Sequence, residues 1–122
     1  MMKPSSDPLI LIRSYVDYAT IEGESKLNGD YKLGNRMVKK LNKIFNVLQS
    51  DDNLAHEVVA GIFASNSTRA KGLAAVDALR LNIYIDEAVD ILENIAKQDD
   101  IIGFGSQMAL RIWRGEFPGK TL

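Results

Sequence analysis

The sequence lacks cysteine altogether, and it contains only one histidine and three prolines. Without cysteine there are no disulfides, no thiolate nucleophiles and no cysteine-based zinc sites. A single histidine excludes any site within this chain that needs two imidazoles. The prolines stand at positions 4, 8 and 118, so no proline interrupts a helix between residues 9 and 117.

Charge and hydrophobic content are those of an ordinary globular protein. The 122 residues are 46% hydrophobic and 25% charged, and the net charge of −1 argues against a chain built to coat nucleic acid. The N-terminal apolar run ends at Arg13, which makes it too short for a secretory signal or a membrane span. We therefore expect a cytoplasmic protein with no membrane partner, comprising a disordered N-terminus over 1–6, one helical domain over 7–115 and a C-terminal tail over 116–122.

Apolar residues recur at helical spacing along the chain, and no alternating run typical of a strand occurs. This pattern predicts an all-α protein of five or six helices. The helix that begins at Thr68 is apolar around most of its circumference, so we expect it at the centre of the fold. The predicted helices cover about 8–22, 31–49, 54–64, 68–81, 86–96 and 101–114, with N-caps at Asp7, Asp30, Ser67, Asp86 and the pair Asp99-Asp100.

The longer helices carry a weak internal repeat. Leu41, Ala75 and Ala109 occupy similar positions in three of them, 34 residues apart each time. A period of about 30–47 residues, with a helical hairpin in each unit, is typical of an α-solenoid. An irregular helical bundle whose helices happen to have similar lengths is the alternative architecture.

A resemblance to a known class of repeat is carried by four segments, namely 35–41, 67–79, 88–96 and 103–113. They resemble HEAT-type repeats, and their order is similar to that in a family of small bacterial HEAT-like domains of unknown function. The resemblance implies a short right-handed α-α superhelix of the ARM/HEAT type and a role in contacting other proteins. Some comparable small helical-repeat proteins neutralise partner toxins.

Residues that could support catalysis are few. His56-Glu57 begins like the helical zinc-protease motif, but Ala60 stands where the second histidine is required. No nucleophile elbow accompanies His56, so a histidine on a helix surface is the favoured interpretation. We expect no catalytic residue, no cofactor, no metal and no enzymatic activity. A carboxylate-based metal site or hydrolase is the weakest alternative.

Acidic residues are concentrated late in the chain. Six acidic residues and one lysine stand between positions 84 and 100. Asp86, Asp90 and Glu93 follow one another at i, i+4 and i+7, which places three carboxylates on one helix face. Together with Glu57 on a shorter helix, they are the candidate residues for binding a basic partner protein.

Basic residues are concentrated on an earlier helix. Their spacing of i, i+4, i+7, i+8 and i+11 forms a stripe that could contact phosphates, which makes nucleic-acid binding the alternative function. No aromatic residues interleave with them, so a solvated outer face is favoured over a nucleic-acid site. The basic and acidic stripes are also complementary enough to permit a homodimer. The five residues of the basic stripe are Lys32, Arg36, Lys39, Lys40 and Lys43.

The last helix carries glycines and aromatic residues to which we assign structural roles. Gly103 and Gly105 follow no strand and lack the lysine of a phosphate-binding loop, so we expect them to permit close helix packing. Trp113 and Phe117 are predicted to close the terminal edge of the fold, where apolar surface would also offer a partner contact.

The favoured function is thus a non-enzymatic protein-interaction module that neutralises or scaffolds a partner of unknown identity.

Overall fold

The computed structural model describes residues 6–122 and is all-helical over that range, with six α-helices and no strands. This confirms the predicted fold class and the predicted number of helices. All but one residue of the predicted disordered segment 1–6 lie outside the described residues. The helices are α1 (Pro8–Asn28), α2 (Tyr31–Gln49), α3 (Asp52–Phe63), α4 (Thr68–Leu81), α5 (Ile85–Ile95) and α6 (Ile101–Trp113).

Side-chain caps explain where most of these helices begin. The Asp7 carboxylate accepts hydrogen bonds from the Leu9 and Ile10 amides at 2.9 and 3.4 Å, and Pro8 occupies the first turn. Equivalent bonds from the first turn to a preceding acidic or hydroxyl side chain open four other helices. The capping residues there are Asp30 for α2, Asp51 for α3, Ser67 for α4 and Asp100 for α6.

Helix α5 begins differently from the prediction that Asp86 caps it. Tyr84 occupies the N-cap position in the left-handed region, with φ of 47°, and offers no side-chain cap. Asn82 is also left-handed, with φ of 60°. These two residues turn the chain sharply after α4, so the helix starts at Ile85. Asp86 therefore lies in the first helical turn, where its negative charge is favourable beside the helix dipole.

Helix α1 is longer than predicted, because residues 23–28, which the sequence places after its end, are also helical. The Ser25 hydroxyl donates to the Ile21 carbonyl at 2.7 Å, so this polar residue is accommodated within the helix. The helix ends at Gly29, which adopts φ of 77° and donates its N–H to the Ser25 carbonyl. That left-handed ending is one that glycine adopts without steric cost.

The chain divides into two compact units, one ending at Ala70 and the other covering Lys71–Leu122. In the first unit, α1, α2 and α3 pack together around a shared apolar core. The apolar residues at helical spacing along α2 predict its buried face, and Leu33 is half-buried while Met37, Leu41, Ile44 and Leu48 are buried. The core is formed by Leu11, Tyr15, Ala19, Met37, Leu41, Ile44, Phe45, Leu48, Leu54, Ala55, Val58, Val59 and Ile62.

In the second unit, α5 and α6 pack against each other. Their buried residues are Ala88, Leu92 and Ile95 on α5 and Ile102, Gly103, Ser106 and Leu110 on α6. Helix α4 comes close to α5, since a Cβ added at Gly72 would meet Ile95 Cδ1 at 2.9 Å. The predicted burial of α4 is confirmed for Ala70, Ala74, Ala75, Ala78 and Leu79.

The C-terminal tail is held against α6. The Arg111 guanidinium donates to the Glu116 carboxylate at 3.1 Å, and it also lies 4.8 Å from the centre of the Phe117 ring. Within residues 6–122, none of the helices combines the length and the apolar composition that crossing a bilayer requires.

Candidate functional site

The three acidic residues of α5 share one exposed face. Asp86, Asp90 and Glu93 lie on the side of the helix opposite its buried residues. The Glu93 carboxylate accepts a hydrogen bond from the Arg114 guanidinium at 2.7 Å, so its charge is already balanced. The face therefore presents chiefly Asp86 and Asp90 to a partner. Glu57, the fourth predicted residue, is exposed on α3, which belongs to the first unit rather than the second.

Nowhere between residues 6 and 122 do three His, Asp or Glu side chains converge in a way that could hold a metal ion. His56 Nδ1 lies 2.8 Å from the Asp52 carbonyl oxygen, one helical turn earlier, and the ring stands at the surface.

A shallow groove lies beside the turn between α1 and α2. Its volume is about 150 Å³, and Glu22, Lys26, Tyr31 and Val38 are among the residues that line it. Ligand pockets usually measure about 300–1,000 Å³, so this groove is small for an organic ligand. The Glu22 carboxylate within it already accepts a hydrogen bond from Arg69 at 2.7 Å. Apart from that pair, the charged residues that line the groove are Lys26 and Asp30, whose carboxylate caps α2.

The basic stripe of α2 lies entirely at the surface. All five cationic residues are exposed, whereas the buried residues of the helix lie on the opposite side. Lys40 Nζ lies 5.5 Å from the centre of the Tyr18 ring, where a cation–π contact is favourable. The structure thus gathers all five predicted residues on one face. They are Lys32, Arg36, Lys39, Lys40 and Lys43.

Helix α6 carries an exposed apolar stripe, a surface that the sequence did not predict. Phe104 is 59% exposed and Ile101 is 46% exposed, although both are large and apolar. Gly105 is also exposed, while Met108 and Ile112 are half-buried. These five residues recur at i, i+3, i+4, i+7 and i+11, the spacing of a single helix face. We call them the α6 stripe.

The α6 stripe is separate from the face that packs into the second unit. The buried residues of α6 lie on its other side, and a surface helix normally carries charged residues opposite its buried face. Here Arg111 is the single charged residue of α6, and it is engaged with the C-terminal tail. The sequence contains a signal for the α6 stripe, namely apolar residues at the spacing of one helix face in a helix with a single charged residue.

Comparison with known proteins finds no relative: no protein family, no curated protein and no solved structure matches this chain.

Proposed function

We propose that this chain is a non-enzymatic protein-binding module and that the α6 stripe is its contact surface. The observation that supports this is the exposure of Phe104 and Ile101 on a helix face without a charged residue. Apolar residues scattered singly on a surface are ordinary, but a contiguous stripe is typical of an interface. Aromatic side chains in particular are enriched among the residues that dominate binding energy.

The acidic face of α5 indicates the chemistry of the partner. Helix α5 packs against α6, and the Gln107 side chain of α6 donates to the Ala96 carbonyl just after α5 at 2.9 Å. The same unit therefore offers an apolar stripe and the carboxylates of Asp86 and Asp90. A partner segment that carries apolar anchors and basic residues complements both.

The four other apolar residues of highest exposure are less suited to this role, because they stand at helix ends. Leu9 and Ile10 lie in the first turn of α1, Leu27 lies in its last turn, and Tyr31 opens α2. Phe104 and Met108, in contrast, lie within α6 and continue one face.

Affinity capture from native cells with three tagged forms of the full chain tests the proposal. We expect a protein retained by the wild type to be lost with Phe104→Glu, because the new carboxylate would be desolvated in the contact. Tyr31→Glu is the matched control, since it places the same charge at an exposed aromatic residue of the first unit. Capture profiles that are identical for the wild type and Phe104→Glu would rule out the α6 stripe as the contact.

A fourth form tests the role of the acidic face. Asp86→Lys combined with Asp90→Lys is expected to weaken capture of the same protein several-fold, mainly by slowing association. Neither residue has an ion-pair partner within residues 6–122, so the substitution breaks no ion pair, although Asp86→Lys removes a favourable charge from the first turn of α5. Undiminished capture by this form would mean that the partner does not use the acidic face.

A further inference from the structure

Helix α2 carries the largest net charge of the six helices that the structure describes. Between Tyr31 and Gln49 there are five basic residues and no acidic residue. With a rise of about 1.5 Å per residue, the basic stripe from Lys32 to Lys43 extends over about 16 Å of helix. The whole chain has a net charge of −1, so this charge is a local feature of one helix.

The basic stripe has no internal counter-charge. Among the described residues, no carboxylate forms an ion pair with any of its five cationic groups. A helix face whose only role is to meet solvent normally mixes the two signs, since an acid four residues from a base stabilises the helix. The basic stripe has no acidic residue of α2 beside it, and no carboxylate of the described parts of α1 or α3 forms an ion pair with it.

The arrangement is also unfavourable for the helix itself. Lys32 and Arg36, Arg36 and Lys40, and Lys39 and Lys43 are like-charged pairs at i and i+4, a spacing that destabilises helices. Lys32 in addition lies in the first turn, at the positive end of the helix dipole. An external anion would relieve all of this repulsion at once.

The composition of the stripe favours phosphates over other anions. Four of the five residues are lysines, which are depleted in protein interfaces but bind phosphate as point charges. A membrane surface is disfavoured, because the apolar face of α2 that would enter the lipid is buried in the core of the first unit. Proteins that bind single-stranded nucleic acid commonly stack its bases on aromatic side chains, and the basic stripe contains no aromatic residue.

We propose that the basic stripe of α2 binds the phosphate backbone of duplex nucleic acid without reading its sequence. This surface is independent of the protein contact proposed for α6. Five phosphate contacts predict a slope of about −4.5 for the logarithm of the association constant against the logarithm of the salt concentration. Affinity should therefore fall about 500-fold between about 50 and about 200 mM salt.

Fluorescence anisotropy with the purified full chain and labelled duplexes of about 20 base pairs measures this slope directly. Lys39→Gln combined with Lys43→Gln should reduce the slope to about −2.7, because two phosphate contacts are lost. The matched control is Lys97→Gln combined with Lys120→Gln, which removes two exposed lysines from the second unit and gives the same net charge. The control should keep the slope of the wild type. Circular dichroism checks that both forms are folded.

Three results would overturn the proposal. The first is a wild-type slope near zero, and the second is an equal reduction of the slope by the test and control pairs. The third is tighter binding to poly-glutamate or to vesicles containing phosphatidylserine than to the duplex at the same salt concentration. DNA and RNA duplexes are both titrated, and comparable binding of the two is expected for contacts to the backbone. No partner protein is present, so the outcome does not bear on the α6 stripe.

Discussion

Two ion pairs of equal length show how burial decides how much a single charged residue contributes to stability. The Glu22–Arg69 and Glu93–Arg114 pairs both have an N–O distance of 2.7 Å. The side chains of the first pair are only 8% and 18% exposed, whereas those of the second are 51% and 44% exposed. Water screens the second pair, but the first would leave a poorly solvated charge if either partner were removed.

We predict that Glu22→Gln lowers the free energy of unfolding by about 2–4 kcal/mol, since it leaves the Arg69 guanidinium unpaired. Glu93→Gln is the control and should cost less than about 1 kcal/mol, because the pair is exposed. Urea denaturation followed by circular dichroism measures both values. Equal losses from the two substitutions would contradict this assignment of burial.

Two glycines of α6, close in sequence, differ in what surrounds them. A Cβ added at Gly103 would collide with the backbone carbonyl of Gln98, whereas one added at Gly105 would have no neighbour within 4 Å. We predict that Gly105→Ala stabilises the protein by about 0.5–1 kcal/mol, through reduced entropy of the unfolded chain. Gly103→Ala should instead destabilise it.

Thermal unfolding of the two variants separates them by the direction of the change in Tm. A rise in Tm for both variants would mean that the backbone carbonyl of Gln98 does not lie against Gly103. The sequence alone predicts a role in close helix packing for both glycines, but the close neighbour of Gly103 is the turn before α6 rather than another helix, and Gly105 has no close neighbour. The difference depends on where Gln98 lies in space, which periodicity does not show.

At the scale of the helices, local sequence signals predicted which helices form better than they predicted where each helix begins and ends and which of its faces is buried. The acidic and hydroxyl caps and the apolar spacing predicted four of the six starts to the residue, because both act within a few residues along the chain. In α1 the helical spacing of Leu9, Ile12, Val16 and Ala19 predicts one buried face. The residues that are buried include Leu11, Tyr15 and Ala19 together with Glu22. The burial of Glu22 depends on Arg69, 47 residues away, so no local pattern could show it.

The repulsion within the basic stripe makes a prediction about the stability of α2. Arg36→Glu replaces two like-charged i, i+4 pairs with two attractive ones, to Lys32 and Lys40. We expect the free energy of unfolding to rise by about 0.5–1.5 kcal/mol at low salt, while duplex binding weakens. Urea denaturation repeated at about 1 M salt is the control, since screening should abolish most of the gain. Destabilisation at low salt would contradict the proposed repulsion.

At the scale of the whole molecule, two surfaces of different chemistry lie on different compact units. The first unit carries the basic stripe of α2, and the second carries the α6 stripe and the acidic face of α5. The sequence identified the charged surfaces because charge is read directly from residue type and spacing. It did not identify the α6 stripe, because apolar residues on both sides of a helix look like a fully buried helix. The resemblance to HEAT-like repeats stays a prediction.

Site-specific photo-crosslinking in native cells tests the proposed protein contact most directly. A photoreactive phenylalanine analogue at position 104 replaces an exposed aromatic residue with one of similar shape, and the same analogue at Tyr31 serves as the control. We predict one discrete protein adduct from position 104, reduced by Asp86→Lys combined with Asp90→Lys, and none from position 31. The absence of an adduct at position 104, or equal adducts at both positions, would contradict a binding surface on α6.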